Sequence, residues 1–444
     1  MSDERPHFVL RWLTFAALFS SGVVFNEPPL TDLLFFLTFA VAVFHKDAFE
    51  LRGFGAVLAG SIVLFLLANG LSLMAAETHI AATKYLVVTV YLFAMFVFVA
   101  GWIGRSGMDG YAFLTRAFIS GAFLVGMIGI LARFNLMPRS ELFFLGGDGL
   151  RIKSTFKDPN VFAPYIVAAF MLVLNDALTR RRRLWSAAVL GLVFALSILF
   201  AFSRGAIFHL AVSLFVYALC VVFLVRDAAI TKRFVAGGLV VSFGVTVFGI
   251  YAIAATGLDG FFAERMKVQS YDSERFAMQA LTLHVAAENP LGIGPGEWNV
   301  TRFANDPHNV YLRVLAENGV LGTIGWILWC ACCATAALSG ILRRTAAAPM
   351  HAACFAILLG LYAEAMIIDT LHWRHLFLVA GLPIGLRIAE AHGAIREHEG
   401  TEHDSTEHDS TAQDSTAQPG SAPSQGMRRG AHQPLVTPRE SAVS

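Results

Sequence analysis

His308 has the surroundings of a proton acceptor. It follows Asp306 and Pro307, an order that predicts a helix with Asp306 as its cap, Pro307 at its first position and His308 in its first turn. The positive end of the helix dipole disfavours an imidazolium at that place. We therefore expect a neutral imidazole that could act as a general base; the alternative is a polar residue that only starts the helix.

Two arginines could bind an anionic group. Arg204 lies between two long apolar runs, and Arg275 begins a predicted helix that starts near residue 272 and stops before Pro290. A guanidinium offers a phosphate group a planar fork of hydrogen-bond donors. The alternative for Arg204 is a side chain that reaches along the membrane boundary to lipid phosphate.

The predicted helix around Arg275 is amphipathic. Arg275, Gln279 and Thr282 fall on one face, and apolar side chains such as Phe276 and Leu283 fall on the other. We expect this helix to lie at a membrane surface, where each face meets the medium that it prefers.

Alternating glycines follow this helix in the segment from Pro290 to Trp298, at Gly292, Gly294 and Gly296. Such glycines permit close approach of the backbone to a ligand, and a tight re-entrant turn explains them equally well. A nucleotide-binding loop is not predicted, because no strand precedes the segment and no helix follows it directly.

Ionisable residues continue into the helix predicted after His308. Asn309, Arg313 and Glu317 recur at intervals of four residues, and so share one face. Ionisable groups are costly inside a membrane and should face the interior of the helix bundle. We expect Arg313 and Glu317 to form a structural ion pair rather than to act in catalysis.

The elements that position these residues are predicted to be membrane helices. The chain has 444 residues, of which 56% are hydrophobic and 15% are charged, and its apolar runs are long enough to cross a bilayer. This pattern excludes a soluble core and predicts an all-α polytopic membrane protein with about twelve transmembrane helices. The predicted spans are residues 9–25, 28–44, 54–75, 83–103, 111–134, 159–178, 184–203, 205–225, 234–256, 310–338, 351–371 and 373–391.

Cysteine usage and net charge exclude several classes of site. All five cysteines fall in apolar runs, so neither disulfides nor a zinc site is expected, and we expect no metal or cofactor. The net charge of +1 indicates no particular partner, and we expect none among nucleic acids.

Short basic loops predict the orientation. The four arginines of 180–183 and the basic turns near 46–52, 226–233 and 343–344 share one side, which should be the cytoplasm together with both termini. The loops 134–158 and 257–308 then lie outside, where their cations could meet an anionic ligand such as a phosphate-bearing lipid head group.

We accordingly divide the chain into four parts. Residues 1–256 hold helices 1–9, and residues 257–309 form a long outer loop containing the amphipathic helix between helices 9 and 10. Residues 310–392 hold helices 10–12. Residues 393–444 repeat a Thr-Glu-His-Asp-Ser unit and should form a disordered cytoplasmic tail, because this composition cannot bury a core.

Taken together, the motifs between about 200 and 340 resemble those of the O-antigen ligase and Wzy-type polymerase superfamily of integral membrane glycosyltransferases. The resemblance lies in the order of several short motifs. These are Ser203-Arg204-Gly205, Arg275 in a loop helix, Glu288-Asn289-Pro290-Leu291-Gly292-Ile293-Gly294, His308-Asn309-Val310-Tyr311-Leu312 and Leu315-Ala316-Glu317-Asn318-Gly319.

The resemblance implies a reaction and a place. Family members at the periplasmic face of the bacterial inner membrane transfer a glycan from undecaprenyl diphosphate to a hydroxyl. The acceptor is the lipid A core in ligases and another lipid-linked unit in polymerases. It implies that Arg204 and Arg275 bind the diphosphate and that His308 deprotonates the acceptor, with Asn309 and Tyr311 in a supporting place beside it. The implied enzyme is metal-independent and inverting, because a single displacement inverts the anomeric carbon.

A transporter or flippase of lipid-linked or anionic solutes is the alternative from a different class. About a dozen helices with few intramembrane charges fit that class as well. Transporters usually contain two related halves with matching interrupted helices, whereas the long outer loop occurs here once. This difference favours the enzyme, and the sequence does not distinguish a ligase from a polymerase.

Overall fold

The computed structural model describes residues 4–45, 48–146, 150–238, 260, 270–298 and 306–395. Every regular element in these ranges is helical, and the β-type pairing there is a single isolated bridge between Phe144 and Ile152. The helices are α1 (Glu4–Phe19), α2 (Leu30–Ala42), α3 (Ala56–Ser72), α4 (His79–Arg133), α5 (Pro159–Leu178), α6 (Leu184–Ala201), α7 (Arg204–Leu219), α8 (Ser270–Glu288), α9 (Val310–Leu342), α10 (Ala348–Glu364) and α11 (Arg374–Ala391). Residues 228–238 are also helical.

Within the described ranges, six helical segments are long and apolar enough to cross a membrane. They are Ala56–Ala75, His79–Arg133, Pro159–Leu178, Leu184–Ala201, Arg204–Val225 and Val310–Leu342. Three shorter apolar helices accompany them, at Phe8–Gly22, Leu30–Ala42 and Ala348–Glu364. The all-α class is therefore confirmed, whereas the number of about twelve spans stays a prediction.

Two of the predicted spans, 83–103 and 111–134, follow each other across a kink rather than across a loop. Helix α4 runs through both 83–103 and 111–134, and Gly107 interrupts its helical geometry with φ 58° and ψ −136°. Only glycine adopts such a conformation without strain, so the chain changes direction there without a loop. The ninth predicted span, 234–256, and the tail of 393–444 lie largely outside the described residues.

The core is built from helices that approach each other closely. Helix α4 packs most extensively on α11, α3 packs on α9, and α7 packs on α10. Small residues permit this: a side chain at Gly325 of α9 would come within 2.7 Å of the Phe65 backbone of α3. These helix pairs fix the ends of α7, α9 and α10 relative to one another.

Candidate active site

The starts of three helices meet at one end of the bundle, which we call the site end. Asp158 caps α5 by accepting a hydrogen bond from the Asn160 amide at 2.6 Å, and Ser203 caps α7. The Ser203 hydroxyl donates to Asn160 Oδ1 at 2.9 Å, which joins the two helix starts. The charge of Asp158 also acts on His308, just before the start of α9.

His308 precedes α9 rather than lying in its first turn. Its φ is 48°, and Asn309 is the cap, because Asn309 Oδ1 accepts a hydrogen bond from the Leu312 amide at 3.1 Å. The predicted cap at Asp306 is therefore wrong. With His308 in the left-handed region, the helix cannot begin until the next position.

The pKa of His308 is nevertheless lowered, for a reason other than the helix dipole. Burial of the half-buried ring is the main cause, and the positive charge of Arg275 acts in the same direction. Nearby carboxylates of Asp306, Asp369 and Asp158 oppose these effects in part. Two of the predicted site residues, His308 and Arg275, are therefore close enough for their charges to interact.

Helix α8 presents Arg275 towards the protein. The helix spans Ser270–Glu288, so it begins slightly before the predicted start and ends where predicted. Arg275 is half-buried and Thr282 is fully buried, whereas Phe276 is 70% and Leu283 is 50% exposed. The exposed apolar side chains agree with the prediction, but the face turned towards the protein is not purely polar, because Val285 and Ala286 are buried in a cluster with Trp298.

Arg204 is the first residue of α7 and is half-buried. A second arginine lies near it: the buried side chain of Arg151 donates from Nη2 to Asn160 Oδ1 at 3.1 Å and from Nε to the Ala201 carbonyl at 3.2 Å. Asn160 Oδ1 thus accepts from both Arg151 and Ser203. Arg151 belongs to the loop 134–158, whose excess of cations was the signal in the sequence that could have indicated it.

A buried contact between a histidine and a glutamate lies behind Arg204. His209 Nδ1 is 3.1 Å from Glu364 Oε2, and both side chains are fully buried. Gly205 leaves the room for the carboxylate, because an added Cβ there would lie 2.9 Å from Glu364 Oε1. The glycine after Arg204 is therefore required by the carboxylate at the end of α10. No local sequence pattern predicts this contact between distant helices.

The predicted ion pair of Arg313 and Glu317 is confirmed. Arg313 Nε donates to Glu317 Oε1 at 3.1 Å, and both residues are buried. The same guanidinium also bonds to Asp369, and lies 3.4 Å from Asp306 Oδ1. It therefore links α9 to the segment before His308 and to the loop after α10.

The glycine segment packs on α9, and the protein itself fills the space beside Gly292. The amides of Ile293 and Gly294 donate to the carbonyls of Ala316 and Glu317 at 2.9 and 3.0 Å. A Cβ at Gly292 would lie 2.3 Å from the Glu317 carbonyl oxygen. This geometry agrees with the re-entrant turn rather than with approach to a ligand.

Tyr311 anchors the start of α9. Its hydroxyl donates to the Tyr362 carbonyl at 2.9 Å, and the Val310 amide donates to the Ala365 carbonyl at 2.9 Å. Both contacts tie the helix that follows His308 to the end of α10. Tyr311 therefore supports the position of His308 through the backbone rather than by contact with it.

Comparison with known protein families gives a match over part of the chain. The model of the O-antigen ligase family matches residues 192–327, which include Arg204, Arg275, His308 and Glu317. No curated protein matches the chain. The segment 192–327 is thus a domain of the O-antigen ligase family, which supports a ligase- or polymerase-like function in surface polysaccharide biosynthesis, and the apolar helices are those of a multi-pass membrane protein.

Proposed function

We propose that the chain transfers a glycan from undecaprenyl diphosphate to an acceptor hydroxyl, as an O-antigen ligase does, at the periplasmic face of the bacterial inner membrane. The observation that carries the proposal is the lowered pKa of His308 beside Arg275. A neutral imidazole and a cation in one small region provide both a proton acceptor and a partner for an anionic leaving group.

In the proposed step the acceptor oxygen attacks the anomeric carbon of the first sugar. The bond from that carbon to the diphosphate oxygen breaks, and its electron pair leaves with the diphosphate. The proton of the acceptor hydroxyl passes to the imidazole of His308. A single displacement of this kind inverts the anomeric carbon, and the proposal requires no metal.

Arg275 and Arg204 are assigned to the diphosphate. Both are half-buried, and Arg204 is joined to the region of His308 through Ser203, Asn160 and Asp158. Partial burial strengthens a charge-assisted hydrogen bond, because less water competes for the donors. Arg151 shares the Asn160 contact and is assigned to the same anion-binding region.

The remaining predicted residues receive supporting roles. Asn309 and Tyr311 fix the start of α9, and Arg313 with Glu317 holds the surrounding loops. Gly292 and Gly294 allow the loop before His308 to lie against α9. The exposed apolar face of α8 is assigned to contact with membrane lipid.

Transfer by the purified full-length protein in proteoliposomes tests the proposal. The donor is an undecaprenyl-diphosphate-linked glycan, and the acceptor is lipid A core. We expect glycan on the lipid A core, and loss of this product in Arg204→Lys and Arg275→Lys, because lysine lacks the planar fork. Arg139→Lys is the matched control, since Arg139 is an exposed loop arginine.

Other products would identify the alternatives. Longer glycans on the carrier lipid without lipid A core product would indicate a Wzy-type polymerase. Movement of the donor across the bilayer without any new glycosidic bond would indicate a flippase and overturn the proposal. The orientation, with both termini cytoplasmic, is tested separately by labelling a cysteine at Arg139 from outside and one at Arg343 from inside.

A further inference from the structure

A polar pocket lies at the end of the bundle opposite to the site end. Helix α5 connects the two: Asp158 caps it at the site end, and the pocket surrounds the turn that follows its last residue, Leu178. The pocket has a volume of about 210 Å³. Its lining includes Tyr111 and Arg116 of α4, Asp176 of α5, and Arg181, Arg182 and Arg183 of the turn into α6.

The pocket carries an excess of positive charge. Four arginines face one carboxylate, and that carboxylate is partnered, because Arg182 Nη2 lies 3.4 Å from Asp176 Oδ2. Within the described ranges no ion pair involves Arg116, Arg181 or Arg183. Three guanidinium charges therefore remain without a carboxylate at ion-pair distance.

Hydrogen-bond donors in the pocket also lack acceptors. The buried Nε of Arg182 has no hydrogen-bond partner in the described part of the chain. Helix α6 begins at Leu184 with Arg183 as its cap, and no side chain caps it. Its first amides and the positive end of its dipole add to the attraction for an anion.

The surroundings indicate that the anion is attached to a lipid. Trp185, two residues after the pocket arginine Arg183, is 67% exposed, and Leu184 is exposed as well. Tryptophan at this position is typical of the boundary between hydrocarbon and water, where lipid head groups lie. Arg181 is held in place there, with its guanidinium 5.9 Å from the centre of the Tyr111 ring.

We propose that this pocket binds the phosphate of an anionic phospholipid in the leaflet opposite to the site end. Arg116, Arg181 and Arg183 approach the phosphate oxygens from α4 and from the α5–α6 turn, while Asp176 keeps Arg182 in place. The bound lipid links these two elements, so it stabilises the folded protein by linkage. The proposal is independent of the proposed transfer reaction.

Native mass spectrometry of the full-length protein in detergent tests the site. The protein is titrated with phosphatidylglycerol and, in parallel, with phosphatidylcholine. The pocket variant is Arg116→Gln with Arg181→Gln. The matched control is Arg343→Gln with Arg344→Gln, which removes the same charge from another exposed basic turn.

We expect one tightly held phosphatidylglycerol in the parent protein and in the control, and no comparable phosphatidylcholine. In the pocket variant the affinity should fall roughly 10- to 30-fold, since each arginine near a lipid surface contributes on the order of a tenfold attraction or less. Equal retention of phosphatidylglycerol by the pocket variant and the control would overturn the site.

A second arm distinguishes a lipid from a soluble phosphate. Thermal unfolding midpoints are measured with phosphatidylglycerol and with millimolar inorganic phosphate. We expect phosphatidylglycerol to raise the midpoint of the parent protein but not that of the pocket variant. If inorganic phosphate gives the same rise at that concentration, the lipid assignment is wrong and the pocket is a site for soluble phosphate.

Discussion

Glu317 accepts a hydrogen bond from the backbone amide of Gly296 at 2.9 Å, across 21 positions of sequence. Its other carboxylate oxygen accepts from the Trp298 amide at 3.2 Å and from Arg313 Nε at 3.1 Å. One buried side chain thus holds both the glycine segment and the arginine that reaches towards the segment of His308. The Glu317 carboxylate is therefore a structural centre of the site end.

Replacing Glu317 with glutamine should destabilise the protein strongly. The variant leaves the buried guanidinium of Arg313 with less compensating charge, and breaking a buried pair costs about 3–5 kcal/mol. Thermal unfolding in detergent measures the effect. The control is Glu288→Gln, whose side chain is 63% exposed and pairs with exposed His284. Equal midpoints for the two variants would contradict a structural role for Glu317.

Alanine at Gly319 should also destabilise the protein. Gly319 has a φ of 68°, and an added Cβ would lie 2.3 Å from the Pro290 carbonyl oxygen, so both the backbone and the contact are strained. The expected cost is about 1–3 kcal/mol. Gly191→Ala is the matched control, because nothing lies within 4 Å of its added Cβ in α6. That variant should be neutral or more stable, since alanine favours a helix.

Local patterns of sequence predicted part of this site. The pair of Arg313 and Glu317 depends on residues four positions apart, so helical periodicity was enough. The start of α9 could not be predicted, because Asp306-Pro307 has the residue types of a cap. The left-handed backbone of His308 moves the cap to Asn309.

Long-range contacts account for what the sequence did not predict. Asn160 accepts a hydrogen bond from Ser203 across 43 positions of sequence, and Asp369 reaches Arg313 from the loop after α10. No periodicity relates such positions, because only the packing of complete helices brings them together. The lowered pKa of His308 likewise depends on burial by several elements. The argument from the helix dipole therefore predicted the direction of the pKa shift correctly, although it placed His308 inside the first turn of α9.

Removing the charge of Arg275 should raise the pKa of His308. Burial is the larger cause of the lowered pKa and remains in the variant, but the repulsion between Arg275 and an imidazolium is lost. In Arg275→Gln the ring should therefore become protonated at a higher pH. The pH dependence of carbethoxylation of the His308 peptide, followed by mass spectrometry without substrate, measures this, because only the neutral ring reacts.

The exposed arginine Arg139 provides the control for that titration. Arg139→Gln removes the same charge from the loop after α4 and should leave the half-point of the His308 reaction unchanged. Identical half-points in Arg275→Gln and the parent protein would show that the two residues are not coupled. The pH dependence of transfer should follow the same pKa. If transfer needs neutral His308, the parent protein should stay active to a lower pH than a protein in which the pKa of this histidine is not lowered.

The last prediction concerns His308 as the base. His308→Ala should lose transfer while the protein still folds and binds donor lipid, and a positioned base contributes about 10²–10⁴-fold to the rate. His308→Gln keeps hydrogen bonding but not useful basicity, so it separates positioning from proton transfer. Asn309→Ser is the matched control, because serine preserves the cap of α9 beside an unaltered His308.

If His308→Gln supports near-normal transfer across neutral pH, His308 is not the general base. Loss of folding in His308→Ala, with folding kept in Asn309→Ser, would instead make His308 a structural residue of the left-handed turn. The size of the defect carries further information. A diphosphate neutralised by arginines is a good leaving group, so the transition state can be largely dissociative and need little base assistance. A loss at the low end of about 10²–10⁴-fold would then mean that His308 mainly orients the acceptor hydroxyl.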